Sequence, residues 1–286
     1  MKKHLVIGGS SFIGNSLINY LKKKGLQIEA TNSDGRDGHI QFNLLNPTSI
    51  LEKIKFDTID TIFLPAAISS PDTCRNKYDY ALKINVDNTS KLISIFLDYG
   101  IKVIFFSSDT VYGEQKEKFD ESIDCNPIGE YAFMKHSVEK KFEKNHKFKA
   151  IRLSYVFSKN DKFTRYLLHV EKQNDIAEIF HPFCRSVIHL EDVLEGLYKM
   201  SESWDEIEHT FVNFGGQENI SRLYFAKILK EGRLKNLKFV EKSPDKLFFK
   251  SRAKYINMES PILRKILKRQ IHTFSMAVEK EFHDES

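Results

Sequence analysis

His4-Leu5-Val6-Ile7-Gly8-Gly9-Ser10-Ser11-Phe12-Ile13-Gly14 is an apolar run that stops at a glycine turn and resumes as a helix. His4–Ile7 reads as a strand. Beyond the turn, apolar residues recur at Ile13, Leu17, Ile18 and Leu21, the spacing of one helical face, and Lys24-Gly25 ends the pattern with a C-terminal glycine. A strand, a Gly-x-x-x-x-x-Gly turn and a helix, in that order, form a frame in which backbone can approach a phosphate closely.

The same rhythm continues outward. Strands are expected at Leu26–Thr31, Ile40–Asn43, Thr58–Pro65, Lys102–Ser107 and Ala150–Phe157. Helices are expected over Pro47–Lys55, over Tyr78–Tyr99 and from Pro127 onward. Such alternation predicts an α/β fold built on a doubly wound parallel (Rossmann) sheet. After Ser158 the rhythm breaks. Val187–Leu190 and Phe211–Phe214 read as returning strands, and the remainder as a smaller C-terminal lobe over the mouth of the sheet. The expected division is a dinucleotide-binding part, 1–157 plus 185–214, and a substrate-binding lobe, 158–184 plus 215–286.

Composition narrows the function classes. The 286 residues carry 44 basic and 39 acidic side chains, and the basic ones are scattered among acids. No compact basic tract tracks a nucleic-acid backbone, so small anionic ligands are the expected partners. No apolar run approaches membrane-spanning length, and Met1-Lys2-Lys3 leads straight into a strand rather than a signal peptide. Cys74, Cys125 and Cys184 give no disulfide framework and no Cys-x-x-Cys pair, which fits a reducing cytoplasm. His181 and His189 lack metal-ligand spacing, so no metal site is expected.

Three constellations carry chemistry. At the turn, Gly8, Ser10, Ser11, Phe12, Ile13 and Gly14 are candidate phosphate contacts, with Ser11 where a middle glycine is usual. At the end of the second strand, Thr31-Asn32-Ser33-Asp34-Gly35-Arg36 places no acid at the tip that would hold a ribose 2′-hydroxyl. Thr31, Asn32, Ser33 and Arg36 are therefore candidate 2′-phosphate contacts, with NADPH expected and NADH the alternative. Asn43 and Leu44 are candidates for the adenine, and Ala66 and Ala67 are small enough for a ribose to approach. The catalytic candidates are Ser108, Tyr131 and Lys135. A phenol titrates near 10, so a cation one helical turn away is needed to favour phenolate near neutral pH. Ser108 would hydrogen-bond a carbonyl oxygen and Tyr131 would protonate it. Asn85, mid-helix, suggests a backbone or water-relay role.

These residues resemble the extended short-chain dehydrogenase/reductases that modify nucleotide sugars, through Gly8, Gly14, Ser108 and Tyr131-x-x-x-Lys135. Arg152-Leu153-Ser154-Tyr155-Val156-Phe157 and Arg185-Ser186-Val187-Ile188-His189-Leu190-Glu191-Asp192-Val193 resemble further family segments. The stretch Ser107-Ser108-Asp109-Thr110-Val111-Tyr112 is most similar to the dTDP-4-dehydrorhamnose reductase branch. The dehydratases place Asp-Glu after the hydroxyl residue, where this chain has Asp109-Thr110. The resemblance implies an oxidoreductase that reduces the 4-keto group of a nucleotide-diphosphate deoxysugar, in deoxysugar and surface-polysaccharide biosynthesis. Two alternatives stay open: an epimerase with tightly held NAD, and a dinucleotide-binding regulatory subunit. Arg185, Tyr155, Ser108 and Asp109 are candidate substrate contacts, with Lys162, Arg165 and Arg252 secondary. A helix-paired homodimer is a further implication.

Overall fold

The computed structural model describes residues 3–244 and 247–283. Seven parallel strands form the main sheet, ordered β3 (Ile40–Gln41), β2 (Ile28–Asn32), β1 (Lys3–Ile7), β4 (Ile59–Leu64), β5 (Lys102–Ser108), β7 (Phe148–Leu153) and β12 (Phe211–Phe214). Strand order reverses between β1 and β4, which opens a crevice beyond their C-terminal ends. Central strands read as unbroken apolar runs because both faces are covered. Leu5, Ile62, Phe105 and Phe96 bury one face under α4 (Thr89–Asp98) and α5 (Glu130–Phe142). Val6, Leu17, Ile104 and Leu197 bury the other under α1 (Phe12–Lys23) and α7 (Leu190–Glu202).

The sequence expectations differ from the structure at three elements. Pro47–Glu52 is a 3-10 helix rather than an α-helix. The long helix over Tyr78–Tyr99 contains one π turn, Lys83–Asn88, between α3 (Tyr78–Leu82) and α4, and Thr89 Oγ1 satisfies the Ile84 carbonyl there at 2.8 Å. The strand expected over Ala150–Phe157 leaves the main sheet after Leu153. Its tail, β8 (Val156–Phe157), pairs instead with β11 (Ile188–His189).

The C-terminal part builds a second sheet in the order β13 (Asn219–Ser221), β10 (Cys184–Ser186), β15 (Tyr255–Met258) and β6 (Gln115–Phe119). One of its strands, β6, comes from the first half of the chain. A separate pair joins β9 (Ile176–Phe180) to β14 (Lys238–Lys242). Against these lie α6 (Lys162–Lys172), α8 (Arg222–Gly232) and α10 (Phe274–Phe282), whose Leu167, Phe225 and Phe274 share one apolar core. The short helices α2 (Pro71–Asn76) and α9 (Pro261–Leu267) complete the set. Among the described residues no helix is long and apolar enough to cross a membrane.

Candidate active site

The glycine turn is a close-packed cradle. Gly8 has φ +100°, and a Cβ there would lie 2.9 Å from the Cβ of Ala66. A Cβ on Gly14 would lie 2.3 Å from the Gly8 carbonyl oxygen. Only bare backbone fits, and the N–H groups of Phe12 and Ile13 stand at the open end of α1. This cradle suits the pyrophosphate of a dinucleotide. Ser11 has a different role from the one expected. Its Oγ donates to the Gly8 carbonyl at 2.8 Å and accepts from the Gly14 N–H at 3.1 Å, so it caps the helix instead of offering a free hydroxyl to phosphate.

At the end of β2 the side chains are also spent locally. Thr31 is buried, and its Oγ1 accepts from the Gly8 N–H at 3.3 Å. Asn32 accepts from the Gly35 N–H at 2.6 Å and donates to the Arg36 carbonyl at 3.0 Å. Both therefore help to shape the loop. Arg36 is exposed and ion-paired to Asp34, and Ser33 is exposed. Asn43 Oδ1 accepts from the Leu45 N–H at 2.9 Å, which is a turn bond.

Ser108 ends β5, and Lys135 reaches the same strand from α5. Ser108 Oγ accepts from Thr110 Oγ1 at 2.9 Å and from the Thr110 N–H at 3.2 Å, and donates to Asp109 Oδ1 at 3.3 Å. Lys135 is buried. Its Nζ donates to the Phe106 carbonyl at 2.6 Å and lies 5.8 Å from the centroid of the Tyr131 ring. Burial lowers the Lys135 pKa to about 8, against the opposing influence of Cys74 and Glu139. Burial raises the Tyr131 phenol, and Cys74 and Asp109 add to the rise. Of the two expected targets of the ammonium, the phenol or a bound ribose, the phenol is not hydrogen-bonded: among the described residues no hydrogen bond joins Tyr131 to Lys135 or to Ser108. Tyr131 and Lys135 are neighbours on α5, and Lys135 ties that helix to β5, the strand that ends at Ser108.

Behind Lys135 a buried polar chain fixes α5. Burial alone would raise the Glu139 carboxyl, but His136 and Arg152 together hold it below its usual range. Arg152 grips Glu139 through Nη2 at 2.8 Å and donates through Nη1 to Tyr112 Oη at 2.8 Å. Tyr112 donates to Asn213 Oδ1 at 2.7 Å, and Asn213 donates to the Glu259 carbonyl at 2.9 Å. Asn85 is a backbone clamp: it accepts from the Ile68 N–H and donates to the Ile68 carbonyl, both at 2.9 Å. That fixes the segment after β4 that contains Ala66 and Ala67.

Arg185 does not fit the role of a free anion-binding group. Its Nε lies 3.7 Å from Asp109 Oδ2, while Nη1 donates to the Cys184 carbonyl at 2.6 Å and Nη2 to the Ala253 carbonyl at 2.9 Å. Asp109 is buried, and burial raises its pKa against the pull of Arg185. It also accepts from Ser154 Oγ at 2.8 Å. Tyr155 is held through its hydroxyl, which donates to Asp161 at 2.5 Å. Arg252 forms a forked pair with Asp72, and Lys162 and Arg165 are exposed.

The cation that sequence reading missed is Arg222. Its guanidinium lies between the Phe163 and Phe183 rings, 4.9 and 4.8 Å from their centroids. Among the described residues it forms no ion pair within 4 Å and no side-chain hydrogen bond, and it lines a small cavity of about 10 Å³ with Tyr155 and Arg185. Burial lowers its pKa against the pull of Tyr155 and Asp161, and Arg185 and Arg252 add to the lowering. Its signal in the sequence was weak: one arginine after Asn219-Ile220-Ser221, at the start of a helix. His189, Asp192 and His272 also meet, with ligating atoms within 4.8 Å, although linear spacing separates them. Asp192 there is already ion-paired to Arg269 at 2.7 Å.

Residues 4–215 match the profile of the NAD dependent epimerase/dehydratase family. The chain belongs to that family. Members of the family are NAD(P)-dependent enzymes acting on nucleotide sugars. ADP-L-glycero-D-manno-heptose-6-epimerase of Brachyspira hyodysenteriae is 24% identical over 66% of this chain and 69% of its own length. GDP-6-deoxy-D-talose 4-dehydrogenase of Aggregatibacter actinomycetemcomitans is 31% identical over 54% of this chain and 52% of its own. Among solved structures, dTDP-4-dehydrorhamnose reductase from Bacillus anthracis in complex with NADP superposes with a TM-score of 0.83 at 18% identity, covering 99% of both chains. MoeE5 in complex with UDP-glucuronic acid and NAD gives 0.82 at 20% identity, covering 98% of both. At such identities the family likeness in these structures is one of fold.

Proposed function

We propose that this family member reduces the 4-keto group of a nucleotide-diphosphate deoxysugar with NADPH. The observation that carries the reading is Thr110. Where a dehydratase needs a second acid, this chain has a hydroxyl that donates to Ser108 Oγ at 2.9 Å. Elimination is left without its general acid–base partner, whereas ketone reduction needs only a proton donor and an oxygen-binding donor. Asn32 at the β2 tip, with no acid there, supports NADPH over NADH.

The bound nicotinamide would supply the hydride. Ser108 Oγ would donate to the substrate carbonyl oxygen in place of its long contact to Asp109. Tyr131, kept protonated by burial, would give that oxygen its proton. Lys135, with a pKa near 8, would stabilise the phenolate left behind. Arg222 would take the anionic diphosphate, since Arg185 is engaged by Asp109 and two carbonyls. This reading goes with a dinucleotide-binding part over 1–157 plus 185–214 and a substrate lobe over 158–184 plus 215–286. It also goes with a role in making surface-polysaccharide deoxysugars in the cytoplasm.

The test is absorbance at 340 nm with NADPH and a set of nucleotide 4-keto sugars. Consumption of NADPH supports the proposal. Purified protein that retains NAD and interconverts a nucleotide sugar without net oxidation of NADPH would favour an epimerase.

A further inference from the structure

Asn32 is not only a loop residue; it orients His39. The Gly35 N–H points at Asn32 Oδ1 (2.6 Å) and the Arg36 carbonyl receives one Nδ2 hydrogen (3.0 Å), so the amide has a single possible orientation. The second Nδ2 hydrogen faces His39 Nδ1 at 3.2 Å. That ring nitrogen must therefore accept, and the imidazole carries its proton on Nε2. Among the described residues Nε2–H has no hydrogen-bond partner, and it is not a buried orphan.

The ring also stands in a telling place. Its Cε1, the atom bonded to Nε2, lies 2.9 Å from where a Cβ on Gly9 would be. Gly9 belongs to the phosphate-binding turn, and Asn32 closes the strand whose tip selects the ribose 2′ substituent in this fold. The imidazole thus sits between the two. The turn that carries it is built for the purpose: Gly35, Asp37 and Gly38 all have positive φ, and the His39 N–H returns to the Arg36 carbonyl at 3.1 Å. Asp34, in the same loop, is paired to Arg36.

We infer that His39, locked as the Nε2–H tautomer by Asn32, is the donor that recognises a 2′-phosphate on the adenine ribose. This inference rests on the dinucleotide reading of the site and adds the residue that sets cofactor preference. The Nε2–H donor bonds an anionic 2′-phosphate oxygen more strongly than it bonds a 2′-hydroxyl oxygen, because the phosphate acceptor is charged.

Equilibrium binding of NADPH and NADH, followed by nicotinamide fluorescence without any sugar substrate, tests it. His39→Ala is expected to weaken NADPH about tenfold while NADH changes less than about twofold, the loss of one hydrogen bond to a charged acceptor. His39→Gln, which restores an N–H donor, is expected to recover part of the NADPH affinity, and thermal melts check that both variants fold. Equal weakening of the two cofactors, unchanged NADPH binding, or a wild-type preference for NADH would each overturn the role of His39 while leaving the dinucleotide site intact. A wild-type protein that binds neither cofactor would remove the site itself.

Discussion

Lys135 Nζ donates to the Phe106 carbonyl oxygen at 2.6 Å, so the cation of the proposed proton-transfer pair is tethered to the strand that carries Ser108. Burial leaves its pKa at about 8, below the 10.5 of an exposed lysine. The reduction rate should therefore fall as pH rises through about 8, when the neutral amine no longer steadies the Tyr131 phenolate. In Lys135→Met the residual rate should be flat across that range. Stability runs the other way. The folded state releases this proton before the unfolded chain does, so the cost of burying the charge is fully present below about 8 and fades as pH approaches 10.5. Urea titrations at pH 7 and 9.5 would read this as a gain of about 2 kcal/mol.

Tyr131→Phe removes the only proton donor assigned to the carbonyl oxygen. Turnover should drop about 10³-fold. Dinucleotide affinity should stay within about twofold, because the phenyl ring still packs beside Lys135. Stopped-flow single turnovers and a fluorescence titration separate the two effects. Unchanged turnover would mean another acid serves.

Asn85→Ala should be costly out of proportion to its size. Both polar groups of Ile68 would lose their partner inside the protein, at about 1–3 kcal/mol each. A urea midpoint shift worth about 2–4 kcal/mol is expected, together with weaker dinucleotide binding, because the Ala66 segment is no longer held against Gly8. A shift below about 0.5 kcal/mol would show that water replaces the amide.

Arg222 and Arg185 should part company on substitution. Arg222→Ala should weaken UDP, GDP or dTDP, measured by calorimetry, about tenfold or more with little change in melting temperature. Arg185→Ala leaves Asp109 buried beside no cation, at about 3–5 kcal/mol. That deficit should shrink at lower pH, since the Asp109 carboxyl is already raised by burial and is neutralised more readily once Arg185 is gone. If Arg185→Ala instead melts normally and loses nucleotide binding, the two assignments exchange.

The parallel sheet was legible because its signals are local. Gly8 and Gly14 admit no side chain, and Ile62–Leu64 can only be a strand covered on both faces. Tyr131 and Lys135 were legible as residue types at a helical spacing, and Ser108 as a hydroxyl at the end of an apolar strand. What the sequence could not display was how each polar group is occupied. Asn32, Asn43 and Ser11 look like ligand contacts until their hydrogen bonds to neighbouring backbone are seen. Arg185 looked free because Asp109 and Ala253 come from distant parts of the chain. The second sheet was invisible for a related reason. Its strands are three to five residues long, and β6 finds β15 across more than a hundred residues.

The Glu139–Arg152–Tyr112–Asn213 chain also bears on the order of events during synthesis. A ribosome that has released only the first two hundred residues has made the three proposed catalytic side chains, yet Tyr112 still lacks the amide that orients its hydroxyl. A nascent polypeptide halted there would hold Ser108, Tyr131 and Lys135 without the last link that braces their scaffold, so competence should arrive only once β12 has docked.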